Sequence, residues 1–577
     1  MILILQVFYS VFSGLLLGYA IPNEHLKFGC AALALFCLIP YYFAIKSCKS
    51  YKNAFLCGFL QAGSTHLYSS YWLANFKDFA ALTLGASAVG TAIIGASLSI
   101  FLYFPYSDNS DFCKELKNKD RYKLFESTSF KMIYFASVYT LYEWCKSCGF
   151  LGYPWGTLPT AIYNWNTVMQ IASFTGTYGI TFIFALTNAI FAEFLEEIVN
   201  LINFKKIEKY KLFDLKITTS LTGILFLIIL IHGGYWKLKK LTPQKLLTTI
   251  AVQKNIDPWD LITDSKSILI SQELTKKQLD ELKTINKEAH LVVWSEGSLS
   301  YSFPGAHSHY KKNPKENPLV SFIKESNVPL VSGGSFTKDK KNKIFFNSAI
   351  LYDKKGNFRG VYGKNHLVPI AEAIPGMEYP KIKNFMNKVI GISNGWTPGD
   401  QYVLFDIPAI YHEGRRLPAV KNINLNLNAE EEEKIENANP SVKIATPICY
   451  DDAFPDIMRP LYLNGAELFI NLTNDSWSNK ASSEYQHFVV SSYRTIECRT
   501  PMVRVCNGGY TVVLDPKGKV LKDLPLFTAD SFWYNVPVYS KMPTIYSKLG
   551  NWLPWTLFIL LILYFAKVFK DRKIIKF

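Results

Sequence analysis

The sequence predicts an α/β domain inserted between transmembrane helices, with about eight spans in total. Hydrophobic residues make up 49% of the chain, and they crowd the regions before Trp236 and after Leu553. Between these regions, short apolar runs of the β type alternate with helical stretches, which is the pattern of a layered α/β fold. We therefore expect a transmembrane helical bundle over 1–240, an extramembrane domain over 245–540, and a final span with a basic tail over 550–577.

The membrane part is marked by apolar segments near the length of about 20 residues that a helix needs to cross a bilayer. We predict seven spans before the middle domain and one after it: Ile2–Ala20, Phe28–Ala44, Ala54–Trp72, Ala80–Phe104, Met132–Phe150, Val168–Phe194, Ile217–Trp236 and Leu553–Phe565. The first segment lacks the basic start and the cleavage site of a signal peptide, so we expect it to remain as a span.

Basic residues indicate the orientation of these spans. They follow the even-numbered spans, at 46–52, 114–123, 205–211 and 567–573, whereas the short odd-numbered loops carry few. By the positive-inside rule both termini are cytoplasmic and the middle domain lies outside, which in a bacterium with two membranes is the periplasm. This distribution also accounts for the net charge of +16, so we expect a membrane and no nucleic acid as partner.

The middle domain shows strand patterns separated by helices and turns. Predicted strands are Leu247–Gln253, Leu291–Trp294, Leu330–Gly333, Ser348–Tyr352, Gly360–Tyr362, Val403–Ile407, Val442–Ile448, Leu468–Asn471 and Val503–Asp515, with helices over Asp264–Lys287 and Ser482–Cys498. Asp515–Gly518 is predicted to form a hairpin turn. Tyr411–Ser441 is rich in Asn and Glu and is predicted to be an inserted, solvated loop.

Three short motifs end apolar strands of this domain: Trp-Ser-Glu at 294–296, Lys-Asn-His at 364–366 and Ile-Cys-Tyr-Asp at 448–451. Cys449 is a candidate nucleophile, but a free thiol titrates near 8.5 and needs a base or a cation at neutral pH. Glu296 can accept its proton, and Lys364 can stabilise an oxyanion. Each residue alone has an ordinary structural explanation. Together they predict an acyl-transfer site.

Cysteine and histidine spacing points to neither a disulfide framework nor a metal site. The sequence has ten cysteines, and the pair Cys145 and Cys148 has no second pair nearby, which favours a structural explanation. His307 and His309 form the only close histidine pair, and nothing completes a ligand set around them, so a loop is the preferred interpretation. We expect no metal and no cofactor.

These motifs resemble the nitrilase superfamily, whose Glu-Lys-Cys triad acts on carbon–nitrogen and related acyl bonds. Further stretches are similar to those of the apolipoprotein N-acyltransferase family: Lys364–Glu372, Asn474–Trp477, Gln486-His487, Arg494–Glu497, Asn507–Gly509 and the membrane-side loop Tyr153–Gly156. The resemblance covers nearly the whole chain. It implies that the middle domain is a nitrilase-like αββα sandwich.

The resemblance also implies roles for individual residues. Glu296 would be the general base, Lys364 the oxyanion stabiliser and Cys449 the nucleophile. Supporting or substrate-contacting roles would fall to Glu372, which orients the site, to Tyr450 and Trp477, which line the acyl and acceptor channel, and to Asn347 and Asp451.

The sequence departs from the family pattern at several places. Asp451 stands where the family usually has Glu, and Ser478-Asn479 replaces the usual Phe-Gly. Trp259 lies a few residues away from the family's spacing, so we assign it no role. These differences affect substrate detail more than the type of reaction.

The implied activity is transfer of an acyl chain from a phospholipid to the α-amino group of the N-terminal diacylglyceryl-cysteine of apolipoproteins. The reaction would be ping-pong through a thioester on Cys449, carried out by a multi-pass monomer of the bacterial inner membrane. One alternative is a membrane-tethered nitrilase-type amidase, which would need only one or two spans. Another is a non-enzymatic transporter or lipoprotein-binding protein, in which charged residues within the spans would be expected.

Overall fold

The computed structural model divides into two compact units. Residues 1–76, 80–107, 127–203, 209–260, 263–369, 371–373, 376, 379–381, 384, 395–412 and 440–575 are described, without the side chains at 81–82, 569 and 571–575. The first unit comprises Met1–Leu238, Lys480–Tyr493 and Lys548–Phe577, and the second comprises Lys239–Asn479 and Arg494–Ser547. The basic loop at 114–123, Lys205, Lys206 and most of the predicted insertion Tyr411–Ser441 lie outside the described residues.

The first unit is helical. Its α-helices are Ile2–Ala20, Ile39–Lys46, Tyr51–Ser69, Ser87–Tyr103, Thr128–Lys146, Leu158–Ala161, Asn166–Met169, Ala172–Thr175, Tyr178–Ile202, Lys209–Leu238 and Trp552–Ile575, joined by short 3₁₀ or π turns at Ala31–Leu35, Tyr71–Asn75, Ala81–Ala86 and Phe104–Tyr106. Among the described residues, four helical stretches are long and apolar enough to span a membrane: Ile2–Ala20, Thr83–Tyr106, Tyr178–Ile202 and Lys209–Leu238. Ala31–Lys46 and Trp552–Val568 are apolar but shorter. The count of eight spans stays a prediction.

The predicted sixth span, Val168–Phe194, is wrong in its bounds. Two short helices precede Gly176, which adopts a φ of +66°, and one unbroken helix then runs over Tyr178–Ile202. Glycine adopts positive φ at little cost, so the chain turns there before the long helix begins. The apolar pattern alone does not reveal this break, because hydrophobic residues continue on both sides of the short stretch Thr175-Gly176-Thr177.

The second unit contains two β-sheets. Its strands are β1 (Lys245–Gln253), β2 (Leu291–Trp294), β3 (Ser302–Phe303), β4 (Leu330–Asp339), β5 (Ile344–Tyr352), β6 (Phe358–Gly363), β7 (Leu404–Pro408), β8 (Ile410–Tyr411), β9 (Ser441–Ala445), β10 (Leu468–Thr473), β11 (Met502–Cys506), β12 (Val512–Leu514), β13 (Val520–Asp523) and β14 (Asp530–Val538). One sheet has the order β14-β1-β2-β4-β5-β6, with β3 on β4 and β8 on β1, and the other has the order β13-β12-β11-β10-β9-β7. The predicted α/β class is confirmed.

The second unit also contains helices, of which Asp264–Thr284 packs against β1 and β14. These helices are Asp264–Thr284, Ala306–Tyr310, Leu319–Ser326, Pro455–Leu463, Ile545–Leu549 and the end of Ala481–Cys498. On the first sheet, fully buried Trp294 packs in one apolar cluster with Ile268 and Phe322, which come from two of these helices. Strands β1 and β2 contact β11, so the two sheets face each other.

The parallel strands determine where the loops gather. β1, β2 and β4 run parallel in the first sheet, and β9, β10 and β11 run parallel in the second. The carboxyl ends of parallel strands lie at one edge of a sheet, and loops at that edge carry the ligand-binding residues of many α/β proteins. Glu296 follows β2 and Cys449 follows β9, which are parallel strands. Lys364 follows β6, which runs in the same direction as β4 because β5 is antiparallel to both.

The prediction of one strand over Val503–Asp515 is wrong. The structure has two antiparallel strands here, β11 and β12, which pair Val503 with Val513. The chain reverses between them through Asn507, Gly508 and Gly509, which interrupt the apolar run. A second turn follows, in which the Gly518 N–H donates to the Asp515 carbonyl at 3.0 Å, between β12 and β13.

Candidate active site

Glu296 lies in a tight turn that follows β2. Gly297 after it has a φ of +67°, a conformation that favours glycine. The carboxylate is largely buried, with 8% of the residue exposed, and its Oε1 accepts a hydrogen bond of 2.7 Å from Asn347 Nδ2 on β5. Burial raises the pKa of Glu296, nearby Lys364 lowers it, and Glu372 raises it again, so the carboxyl holds its proton to a higher pH than usual.

Lys364 follows β6 directly and is 1% exposed. Its Nζ lies 2.8 Å from Glu372 Oε2 and 3.5 Å from Glu296 Oε1. Asn347 joins the same group, because its Nδ2 also donates to Glu372 Oε1 at 2.9 Å. Burial disfavours the ammonium, but Glu372 and Glu296 outweigh it and raise the pKa of Lys364 well above its usual value. Lys364 is therefore a permanent cation and not a base.

Cys449 begins a short 3₁₀ turn, Cys449–Ala453. Three residues, Thr446–Ile448, separate this turn from the end of β9 at Ala445. Its φ is +45°, a left-handed conformation that is uncommon for a residue other than glycine and that often marks functional sites. Burial and then the charge of Glu296 raise the pKa of the thiol well above its usual value, while Lys364 lowers it. The resting nucleophile is therefore a thiol that must transfer its proton before it attacks.

Asp451 links the lysine loop to the cysteine turn. Its Oδ1 accepts the backbone N–H groups of Asn365 (3.2 Å) and His366 (2.7 Å), and its Oδ2 accepts the Tyr362 hydroxyl (3.0 Å) and the Ile448 N–H (3.1 Å). The side chain is fully buried, and burial raises its pKa to about 7. Asp451 thus holds the segments that carry Lys364 and Cys449 in one arrangement.

The backbone after Cys449 is partly engaged in closing its own turn. The Asp451 N–H donates to the Ile448 carbonyl oxygen at 3.0 Å. Lys364 is the cation whose charge lowers the pKa of Cys449, so its ammonium is the group that we expect to stabilise an oxyanion.

The predicted aromatic residues lie in two different surroundings. Tyr450 is 9% exposed, and its ring lies 4.9 Å from Phe454 and 5.4 Å from His366 between centroids. Trp477 is 40% exposed and makes an edge-to-face contact with Trp259 at 5.4 Å. The Trp259 Nε1 donates to the Trp477 carbonyl at 3.0 Å, so the structure gives a position beside Trp477 to a residue that the sequence left without a role.

One supporting residue was missed in the sequence, and a second was noted there only as part of a motif without a role. Arg504 on β11 is fully buried and pairs with Asp452 at 3.0 Å and with Asp475 at 3.6 Å, next to the cysteine turn. Asn507 donates to Asn474 Oδ1 at 3.1 Å and accepts the Ile256 N–H at 3.0 Å, which joins the loops after β10 and β1. A single arginine inside the apolar run Met-Val-Arg-Val-Cys was the available signal for the first of these.

The histidine pair of the sequence is engaged in local packing. His307 and His309 lie in a short helix, Ala306–Tyr310, and not in the loop that the sequence suggested. The His307 Nδ1 is 3.4 Å from the Tyr352 hydroxyl, and the His309 ring stacks on Tyr301 at 3.9 Å. Both imidazole rings are therefore engaged in contacts with neighbouring tyrosines.

Comparison with known proteins gives the family. Residues 13–190 match the profile of the apolipoprotein N-acyltransferase N-terminal domain, and residues 251–536 match that of carbon-nitrogen hydrolase. Apolipoprotein N-acyltransferase 2 of Treponema denticola is 36% identical over 97% of this chain and 96% of its own, and the protein of that name from Treponema pallidum is 34% identical over 94% and 91%.

A further full-length relative has a similar name, and a solved structure aligns with half of the chain. The apolipoprotein N-acyltransferase of Borreliella burgdorferi is 30% identical over 94% of this chain and 92% of its own. A crystal structure of a carbon-nitrogen hydrolase from Helicobacter pylori aligns with 50% of this chain and 88% of its own at 17% identity, with a TM-score of 0.32. On the extent and identity of the full-length matches, this membrane protein belongs to the apolipoprotein N-acyltransferase family.

Proposed function

We propose that this protein transfers an acyl chain from a phospholipid to the α-amino group of the N-terminal diacylglyceryl-cysteine of apolipoproteins, through a thioester on Cys449. The observation that carries the proposal is the buried group formed by Glu296, Lys364 and Glu372, in which the charges of Glu296 and Lys364 act on the thiol of Cys449. The names of the full-length relatives supply the substrate class.

The first half-reaction forms the thioester. Glu296 takes the proton of the Cys449 thiol, and the thiolate attacks the ester carbonyl carbon of the phospholipid. The Lys364 ammonium stabilises the oxyanion of the tetrahedral intermediate, and losing one such donor typically costs about 10²–10³ in rate. The C–O bond then breaks, the leaving alkoxide takes the proton from Glu296, and a lysophospholipid departs.

The second half-reaction transfers the acyl group to nitrogen. The α-amine attacks the thioester carbonyl, and Glu296 accepts the proton that the amine loses. The C–S bond breaks, and the Cys449 thiolate leaves and is reprotonated by Glu296. Because the raised pKa of Glu296 lies closer to neutrality than that of an exposed carboxyl, the group is suited to accept and return a proton in both halves.

We further propose the cellular arrangement. The bundle over 1–240 and the last segment over 550–577 would lie in the bacterial inner membrane, with both termini cytoplasmic and the domain over 245–540 in the periplasm. The positions of the described lysines at 46–52, 209–211 and 567–570 support this orientation. We propose a monomer, in which Tyr450 and Trp477 line the channel for the acyl chain and the acceptor.

Labelling of the acyl-enzyme tests this proposal. The full-length protein in detergent, mixed with radiolabelled phosphatidylethanolamine, should acquire a label that hydroxylamine removes, because a thioester is labile to this reagent. Cys449→Ala should acquire none, whereas Cys145→Ala, which removes an exposed thiol, should be labelled like the wild type. A Cys449→Ala protein that still acylates a diacylglyceryl peptide at the wild-type rate would refute the assignment.

A further inference from the structure

Lys254 is a buried lysine to which the mechanism above assigns no task. It immediately follows β1, whose last residues pair with β2, and it is 5% exposed. Its Nζ lies 3.1 Å from Ser298 Oγ, 3.2 Å from the Gly297 carbonyl oxygen and 3.2 Å from Ser267 Oγ. The three N–H bonds of the ammonium therefore have three acceptors, and two of these belong to the turn that carries Glu296.

The contacts extend through the turn. Because Ser298 Oγ accepts from Lys254, its own proton is directed to the Ser295 carbonyl, which it reaches at 2.7 Å. Lys254 thus holds the residues before and after Glu296, directly at Gly297 and through Ser298 at Ser295. Gly297 has positive φ and no side chain of its own to restrain this turn.

The charges around Lys254 are two carboxylates. Burial lowers the pKa of Lys254 to about 8, and the negative charges of Asp264 and Glu296 oppose this effect. Asp264 is already engaged as an acceptor, because its Oδ1 takes the Ser300 N–H at 2.7 Å and the Tyr310 hydroxyl at 3.3 Å.

Glu296 is surrounded by several charged or titratable groups. Lys364 and Asn347 stabilise its ionised form, and Glu372 and Asp475 disfavour it. Cys449 also faces it, because the charge of Glu296 acts on the thiol. A second cation close to the turn therefore helps to offset the two acidic neighbours.

We propose that Lys254 is a positioning residue for the general base, which fixes the turn around Glu296 and provides a second positive charge that favours the ionised carboxylate. This inference rests on the proposed function, since it assumes that Glu296 accepts the proton of Cys449. Displacement of a reacting group by about 1 Å can reduce a rate about 10²-fold. A lysine that only filled space would leave the titration of the base unchanged.

The test compares three variants of the full-length protein in detergent micelles containing phosphatidylethanolamine. Lys254→Met removes the charge and the donors at similar length, Lys254→Arg keeps the charge, and Lys283→Met is a control at a surface lysine whose side chain is 76% exposed. The rate of hydroxylamine-labile acylation is measured from pH 5 to 9, and thermal unfolding is measured in parallel. If Lys254→Met does not fold, Lys254→Gln serves as the uncharged variant.

We expect the acylation rate of Lys254→Met to fall about 10- to 100-fold near neutral pH. The acidic limb of its pH–rate profile should move to higher pH, because the ionised form of Glu296 loses a nearby positive charge. Lys254→Arg should return the limb toward the wild-type position, and Lys283→Met should match the wild type. If the acidic limb of the pH–rate profile of Lys254→Met lies at the same pH as in the wild type, the proposal is overturned. This holds whether the rate is normal or is uniformly reduced by partial folding. A wild-type protein that forms no thioester would instead refute the proposed function.

Discussion

The buried ammonium of Lys364 lies between two carboxylates, and it is closer to one of them than to the other. Glu372 lies at 2.8 Å and also accepts the Val368 N–H at 2.8 Å, whereas Glu296 lies at 3.5 Å. Glu372 is therefore the partner that neutralises Lys364, and Glu296 keeps more of its basicity. Two carboxyl groups in one site acquire different tasks when their surroundings differ in this way.

The aspartate at 451 should make stability depend on pH in a recognisable way. Burial raises the pKa of Asp451 to about 7 in the folded protein, whereas an aspartate in the unfolded chain titrates at about 3.9. Between these values the folded state binds more protons than the unfolded state, so this group's contribution to stability falls as the pH rises from about 4 to about 7. Asp451→Asn removes the titration.

We therefore expect the difference in unfolding midpoint between the wild type and Asp451→Asn to shrink from pH 4.5 to pH 7 and to level off above pH 8, as followed by thermal unfolding. Acylation by Asp451→Asn should fall at least about 10-fold, because an amide nitrogen cannot accept from the donors at Oδ1 or Oδ2, and each buried donor left unsatisfied costs about 1–3 kcal/mol. A difference that does not vary with pH would show that Asp451 is ionised throughout this range.

At the scale of elements, the reacting side chains lie just after the ends of strands, and these positions could be predicted from the sequence. Glu296, Lys364 and Cys449 each follow an apolar run, and such runs predict strands by composition alone. Lys254 was not predicted, since nothing local distinguishes a buried lysine from a solvated one. The break of Val503–Asp515 at Asn507 was also missed, because the apolar residues resume at once after the turn.

The close packing of β4 against the Glu296 turn gives a second prediction. A Cβ at Gly333 would meet the Glu296 Cα and would lie 2.8 Å from the Gly297 nitrogen. These are backbone atoms, so Gly333→Ala must displace the turn that carries the base, and we expect the acylation rate to fall about 10²-fold.

Gly305→Ala is the matched control for this change. Its nearest neighbour would be the Ser302 carbonyl oxygen at 3.7 Å, so the added methyl has room. Stopped-flow acylation and circular dichroism of both variants give the comparison. Equal rates for Gly333→Ala and the wild type would mean that the turn tolerates the shift.

At the scale of the whole molecule, an apolar helical unit and a unit of two sheets share one chain. The charge of +16 is concentrated in loops beside apolar segments and does not form a nucleic-acid surface in the sequence pattern. Exposed apolar side chains such as those of Leu227, Ile231 and Leu563 fit a surface that meets lipid. A reaction between two lipid-anchored substrates benefits from this arrangement, because both are confined to one plane.

The proposed orientation can be measured by thiol labelling. In a Cys145→Ala background, Lys283→Cys places a thiol on an exposed helix of the second unit, and a membrane-impermeant maleimide should label it in intact spheroplasts. A green fluorescent protein appended after Phe577 should fluoresce, since it matures in the cytoplasm. Labelling that appears only after lysis would place the second unit in the cytoplasm. The Cys145→Ala protein without the new cysteine serves as the blank.

The helix Ala481–Cys498 belongs to both units, with residues up to Tyr493 grouped in the first and those from Arg494 in the second. Its Gln486 is fully buried and donates to the carbonyl oxygens of Pro22 and Ser69 at 2.6 Å. No single continuous stretch of the gene therefore encodes the second unit alone, because residues 480–493 of the first unit lie inside its sequence. Residues 239–547 expressed by themselves would include a segment whose buried Gln486 has lost its acceptors at Pro22 and Ser69.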